Sequence, residues 1–348
     1  MARRDFLIRE SDLDEFQHKL LRKTKNLVIG GCAGSGKSLI ALWRAHDIYV
    51  NNEGSVLFVV YNQSLLRYLR KAGAVIGIPD NVFESFNHCF NWAKQSEWNW
   101  ECLGWKKAQH YDYIIVDEAQ DCKNEYYHAF REHSSNILFY GDDGQQLYKS
   151  EGALSLEEIR KLTGFEFEYL VYNYRLTKKI ARVAQPLSND PDFVDRCTQE
   201  GDELPYILAY SDFEEQLNLI REIIENHNLD DVAILFESTN EVMAAGAFYK
   251  EDGFNVEQKI KDHMSLDFSS TLPKVMPYQS SKGLQFETVF LFMPHNVCNT
   301  KALNSVYVAM TRCYKNLYIF YSNGLPVQMS NISPDLYRSS LSLSVEEI

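Results

Sequence analysis

Short apolar, β-branched or aromatic runs recur at 26–29, 55–60, 113–116 and 137–140, and again at 206–209, 232–236, 275–278, 288–293 and 316–321. Between them lie segments with helical spacing. Phe213, Leu217, Ile220 and Ile224 fall on one helix face, and Ser11, with Asp14 three residues on, marks another helix start. Strands alternating with helices predict an α/β fold of parallel sheets covered by helices. The segment 155–168 separates two such sets, which predicts domains at 1–160 and 161–348, with the serine-rich tail after Gly324 weakly ordered.

Length and composition agree with this division. The 348 residues, 45% hydrophobic, suffice for two domains of about 150 residues each. No apolar run approaches the roughly 18 residues of a membrane span, and MARRDFLIRE lacks the apolar middle of a secretory signal, so a cytoplasmic location is expected. The seven cysteines show no CxxC or Cys/His metal spacing and are read as reduced core thiols.

Charge is unevenly placed. Residues 1–165 carry 20 Lys+Arg against 22 Asp+Glu, whereas 166–348 carry 15 against 26, so most of the net −13 lies in the second half. Binding to nucleic acid without sequence preference is driven mainly by phosphate neutralisation. An acidic second half weighs against tight binding of that kind.

The chemistry concentrates in the first half. GGCAGSGKS places Gly31, Gly36, Lys37 and Ser38 in the spacing GxxxxGK[ST], after NLVIG and before the helical LIALWRAHDIYV. Glycines let backbone N–H groups wrap a phosphate, which makes Ala33, Gly34, Ser35 and Gly36 the candidate cradle. Lys37 can bridge β- and γ-phosphates and the Ser38 hydroxyl can ligate magnesium, so ATP and Mg2+ are the expected ligands. YDYIIVDEAQD then supplies an apolar strand ending in Asp117 and Glu118. Adjacent carboxylates there suit a division of labour, with Asp117 holding magnesium and Glu118 accepting a proton from the attacking water. A glycine-rich turn with an incidental lysine and a solvated acidic turn are the plainer readings; two such motifs in series weigh against both.

DEAQD after the P-loop, followed by GDDGQQLY, NYR, SSKGLQF and VAMTR, resembles the ordered motif series of superfamily-1 helicases of the UvrD/Rep type, from Gln17 to Arg312. The resemblance implies two RecA-like P-loop domains with ATP in the cleft between them. It implies that Gln17 reads the adenine edge, Tyr174 stacks on the base and Gln285 meets the ribose. It further implies that Arg175 and Arg312 reach the γ-phosphate, while Gln145, its loop fixed by Asp142, senses that phosphate or the attacking water. For nucleic acid it implies contacts from Asn62 and Arg67 in NQSLLRYLRKAG, and from Phe86 and Asn87 in ESFNHC. Tyr174 also reads as a core aromatic, and Arg67, Arg70 and Lys71 as a solvated basic face.

The pattern departs from that family in places. Ser150 and Glu151 stand where it has a tryptophan and an arginine, which removes a stacking face worth about 1–3 kcal/mol per base and adds repulsion. Gln285 replaces a glutamate, Glu237 an arginine, and the large insertions of many relatives have no room, which reads as a minimal form. FNWAKQSEWNWECLGWKK holds Trp92, Trp98, Trp100 and Trp105. Exposed, the insert at 92–105 stacks bases or docks a protein partner; burial as an aromatic cap is the favoured reading.

The leading expectation is an ATP hydrolase that moves along, remodels or unwinds single-stranded DNA, 3′ to 5′ if UvrD-like. The alternative is a nucleotide-controlled regulatory subunit that switches a protein partner, such as a nuclease in a phage-defence or repair complex. A small-molecule kinase is disfavoured because paired arginines and the VAMTR helix have no use there.

Overall fold

The computed structural model describes residues 9–23, 26–61, 63–94, 100–106, 109–146, 152–260, 266–294 and 300–340. The chain divides into two compact units, Met1–Val171 and Tyr172–Ile348.

The first unit runs α1 (Glu15–Leu21), β1 (Leu27–Gly31), α2 (Lys37–Val50), β2 (Val56–Val60), α3 (Gln63–Val75), β3 (Phe83–Ser85), α4 (Phe86–Cys89), β4 (Phe90–Lys94), β5 (Trp100–Trp105), β6 (Tyr111–Val116), α5 (Asn124–His133), β7 (Ser134–Gly141), α6 (Leu156–Thr163) and β8 (Glu166–Leu170). Its sheet has the order β3-β2-β6-β7-β1-β8, with every pairing parallel. LVIGG and VLFVV are buried throughout because helices cover both faces of the sheet. Ile40, Leu66 and Leu69 of α2 and α3 pack on one face, and Tyr127, Phe130 and Ile159 of α5 and α6 on the other. Burying each such side chain contributes about 1.5–3 kcal/mol.

The second unit runs β9 (Asn173–Thr177), α7 (Lys178–Ala184), β10 (Cys197–Gln199), β11 (Tyr206–Ala209), α8 (Phe213–Asn226), β12 (Val232–Phe236), α9 (Thr239–Glu251), β13 (Glu257–Gln258), β14 (Lys274–Pro277), β15 (Phe286–Phe292), α10 (Thr300–Met310) and β16 (Cys313–Tyr321). Its parallel sheet has the order β11-β16-β15-β12-β14-β13, while β9 pairs with β10 apart from it. Leu217, Ile220 and Ile224 of α8 are buried as their spacing predicts. Two α/β units, each built on a six-stranded parallel sheet, are thus the architecture.

Each predicted apolar run forms part of a strand. Three expectations are corrected. The boundary near 160 falls inside α6, and β8 pairs with β1 from Leu27↔Glu166 to Gly31↔Leu170, so the first unit continues to Val171. The segment after Gly324 is not without packing, since Met329 and Ile332 are buried and Arg338 forms a β-bridge with Tyr206, while Ser339 and Ser340 are exposed. Asp14, not Ser11, caps α1: its carboxylate accepts from Gln17 N, and Gln17 returns the bond in a capping box. The six described cysteines form no disulfide with one another. Among the described residues no helix is long and apolar enough to cross a membrane.

Candidate nucleotide site

Strands β6, β7 and β1 are neighbours in one parallel sheet, so the loops that follow them emerge at the same edge. The carboxyl ends of parallel strands are where α/β sheets hold ligands. After β1, Gly34 and Gly36 adopt φ of 75° and 88°, left-handed values that only glycine accepts cheaply. Gly36 caps α2 without a side-chain bond, which leaves the first amides of that helix to an anion. A side chain at Gly31 would sit 2.5 Å from Ser35 Oγ, so the loop closes tightly on itself. Lys37 Nζ is folded back onto the loop, donating to Gly31 O at 2.8 Å and Cys32 O at 2.9 Å, and lies 3.9 Å from Asp142 Oδ2.

At the end of β6, Asp117 is 1% exposed. Its Oδ1 accepts from Glu118 N at 3.0 Å, while Oδ2 has no hydrogen-bond partner in the protein. Burial, reinforced by the neighbouring charge of Glu118, pushes its carboxyl up to about 7, against the pull of Ser38 and Lys37. Glu118 has φ 57°, uncommon for a residue with a side chain, and begins a 3₁₀ turn over Ala119–Asp121. Tyr127 Oη braces that turn by donating to Ala119 O at 2.8 Å.

Gln120 completes the arrangement, and no role was read for it from DEAQD. Fully buried, it donates from Nε2 to Glu118 Oε2 at 2.6 Å and accepts at Oε1 from Asp142 N at 2.9 Å. Asp142 in turn accepts from Gly144 N at 2.9 Å and from Gln145 Nε2 at 2.6 Å. Lys37, Asp142, Gln145, Gln120, Glu118 and Asp117 are thus linked in one chain of contacts. Gln17 also reaches the loop: its Nε2 donates to Ser35 O at 3.1 Å, held there by the capping box of α1. Ala33 is buried and Ser38 half-buried in the first turn of α2.

The remaining site residues lie in the second unit. Asn173 Oδ1 accepts from Arg175 N at 3.0 Å and Leu176 N at 2.9 Å, which sets the backbone at Arg175. Tyr174 is half-buried, and its carbonyl accepts from Gln199 Nε2 at 2.6 Å. Arg312 is 3% exposed. Its guanidinium donates to Val308 O at 2.9 Å, Thr311 Oγ1 at 2.9 Å and Leu284 O at 3.4 Å, beside the half-buried Gln285.

One expected nucleic-acid feature is corrected. Phe86, 3% exposed, is a core residue whose ring centroid lies 4.5 Å from that of Tyr126 and 5.1 Å from that of Phe90. Of the basic stripe on α3, Arg70 is engaged within the unit, donating to Phe83 O at 2.9 Å and pairing with Asp80 at 3.6 Å. Asn87 is exposed, and Arg67 half-buried. Asn62, Ser150 and Glu151 lie outside the described residues, as do Trp98 and the Trp100 side chain. In the insert, β4 and β5 form an antiparallel hairpin that lays Trp92 and Trp105 on the core of the first unit, as the burial reading predicts.

Residues 218–321 match the viral superfamily 1 RNA helicase core domain. A probable DNA helicase II homolog of Mycoplasma pneumoniae is 26% identical over 172 residues, covering 42% of this chain and 24% of that protein, so the match spans about a quarter of that relative's length. The C-terminal domain of a possible DNA helicase from Lactobacillus plantarum is similar at 20% identity and a TM-score of 0.39, covering 48% of this chain and 98% of that one. Arterivirus nonstructural protein 10 (helicase), solved with DNA, is similar at 14% identity and a TM-score of 0.46, covering 88% of this chain and 63% of that one. Residues 24–212, more than half of the sequence, match the Schlafen group 3, DNA/RNA helicase domain, and the chain belongs to that family.

Proposed function

We propose that the chain is an ATP hydrolase that couples turnover to movement along, or remodelling of, single-stranded DNA. One observation carries this reading: a buried carboxylate pair, with Asp117 Oδ2 left without a protein partner, stands beside the first turn of α2 that follows the glycine loop. An orphaned carboxylate oxygen that close to the Ser38 hydroxyl fits a divalent cation, and Asp117 and Ser38 would hold magnesium there. Bound magnesium would neutralise charge on the phosphates.

The chain's own residues do the rest. Lys37 exchanges its two carbonyl partners for β- and γ-phosphate oxygens, a swap of neutral acceptors for charged ones. Glu118 takes the proton of the attacking water, and Gln145, anchored by Asp142, orients that water or senses the terminal phosphate. An amide suits that place because it both donates and accepts. Gln17 reads the adenine edge, Tyr174 stacks on the base and Gln285 meets the ribose. Arg175 and Arg312 bring positive charge to the terminal phosphate. The polarity proposed is 3′ to 5′, as in the UvrD/Rep type that the motif series resembles.

A second reading, a nucleotide-controlled subunit that switches a protein partner, draws on the acidic second half and on Leu103, 60% exposed on β5 of the tryptophan hairpin. ATP turnover with and without single-stranded DNA and RNA oligonucleotides, at low and high salt, separates the two. The motor reading expects several-fold stimulation that fades as salt rises, stronger with DNA. A rate indifferent to both oligonucleotides contradicts it and leaves the switch.

A further inference from the structure

We propose that Gln120 is a positioning residue that locks the general base to the turn carrying Gln145, so that the two act as one part. The inference rests on the reading of Glu118 as that base.

The bonding leaves the amide only one orientation. A carboxylate can only accept and a backbone N–H can only donate, so Nε2 must face Glu118 and Oε1 must face Asp142 N, at 2.6 Å and 2.9 Å. The same residue's carbonyl accepts from Gln146 Nε2 at 2.9 Å, which ties its backbone to the far side of the Asp142–Gln145 turn. Both strand-end loops are thereby joined through one side chain. Gln120 is 0% exposed, so bulk solvent does not reach its amide.

Neighbouring residues make room for this arrangement and hold it. A side chain at Gly141 would place its Cβ 2.6 Å from Gln120 Oε1, so glycine there is what lets the amide approach β7. Glu118 is held at φ 57°, a conformation that persists only where surroundings enforce it, and the Gln120 bond together with the Tyr127 brace supplies that enforcement. Any shift of Gln145 on meeting a terminal phosphate passes through Asp142, whose Oδ2 it holds, to Gln120 and so to Glu118 Oε2.

Two near-isosteric variants test the claim. Gln120→Met keeps the volume and loses both bonds. Gln120→Glu keeps an acceptor for Asp142 N and sets an oxygen against Glu118 in place of the donor. Single-turnover ATP hydrolysis is expected to fall about 10- to 100-fold in each, while affinity for a non-hydrolysable ATP analogue stays near wild type and the melting temperature falls because buried groups lose their partners. Turnover within about twofold of wild type in either folded variant overturns the proposal, as does analogue affinity that falls in step with turnover. If Gln120→Met does not fold, Gln120→Glu decides alone. Glu118→Gln keeps the underlying reading separate: an active Glu118→Gln removes the base itself, whereas an inactive Glu118→Gln beside active Gln120 variants removes only the lock.

Discussion

At Asp117, burial and charge set a pH dependence whose sign can be worked out. Its carboxyl, ordinarily near 3.8, is pushed up to about 7 in the fold, so the folded protein holds a proton there that the unfolded chain releases. Folded stability contributed by this group is therefore lost as pH rises from about 4 to about 7, the reverse of a salt-bridged aspartate. Asp117→Asn has no such proton to lose. Its stability relative to wild type is expected to grow across that window in urea titrations without magnesium or nucleotide; parallel curves for the two proteins would contradict the assignment. Lys37, Asp117, Glu118 and Gln145 were nameable as candidates from the sequence because glycine spacing and a strand-end acidic pair are local signals. Gln120 was not. Its role comes from a bond to Asp142, a residue from a different loop, and no spacing within DEAQD encodes that partner.

Among the elements, β9 depends on one side chain. Asn173 is 0% exposed and its Oδ1 accepts the amides of Arg175 and Leu176, so Asn173→Ala removes the acceptor of one buried and one part-buried amide. A loss of about 1–3 kcal/mol in urea unfolding is expected, with ATP turnover reduced because Arg175 rides on that backbone. A variant as stable as wild type would show that the bonds are replaced by water. The same scale explains which strands could be read in advance. Interior strands such as VAILF are continuous apolar runs and were legible, whereas β8, EFEYL, lies at an edge and alternates apolar with acidic residues. Lys23 pairs with Glu166 and Glu168 of β8, charges that read as a solvated linker when the lysine's position is unknown. Phe86 failed for the opposite reason. A motif assigned it to a surface, yet the aromatic residues of β4 and α5 around it form a core that only the folded hairpin brings together.

For the molecule as a whole, alternation of apolar runs with helical patterns predicted two parallel α/β units, and the structure has them. Residues 166–348 carry most of the net −13, which weighs against tight sequence-independent binding of a phosphate chain by that half. The central claim is that this first unit hydrolyses ATP with Glu118 as base and Lys37 on the phosphates. Parallel measurement of ATP turnover and analogue binding in wild type, Lys37→Ala and Glu118→Gln, with magnesium present, tests it most directly. Glu118→Gln is expected to bind the analogue as wild type does and to turn over at least about 100-fold more slowly, with Lys37→Ala deficient in turnover as well. Hydrolysis at the wild-type rate by Glu118→Gln would contradict the account.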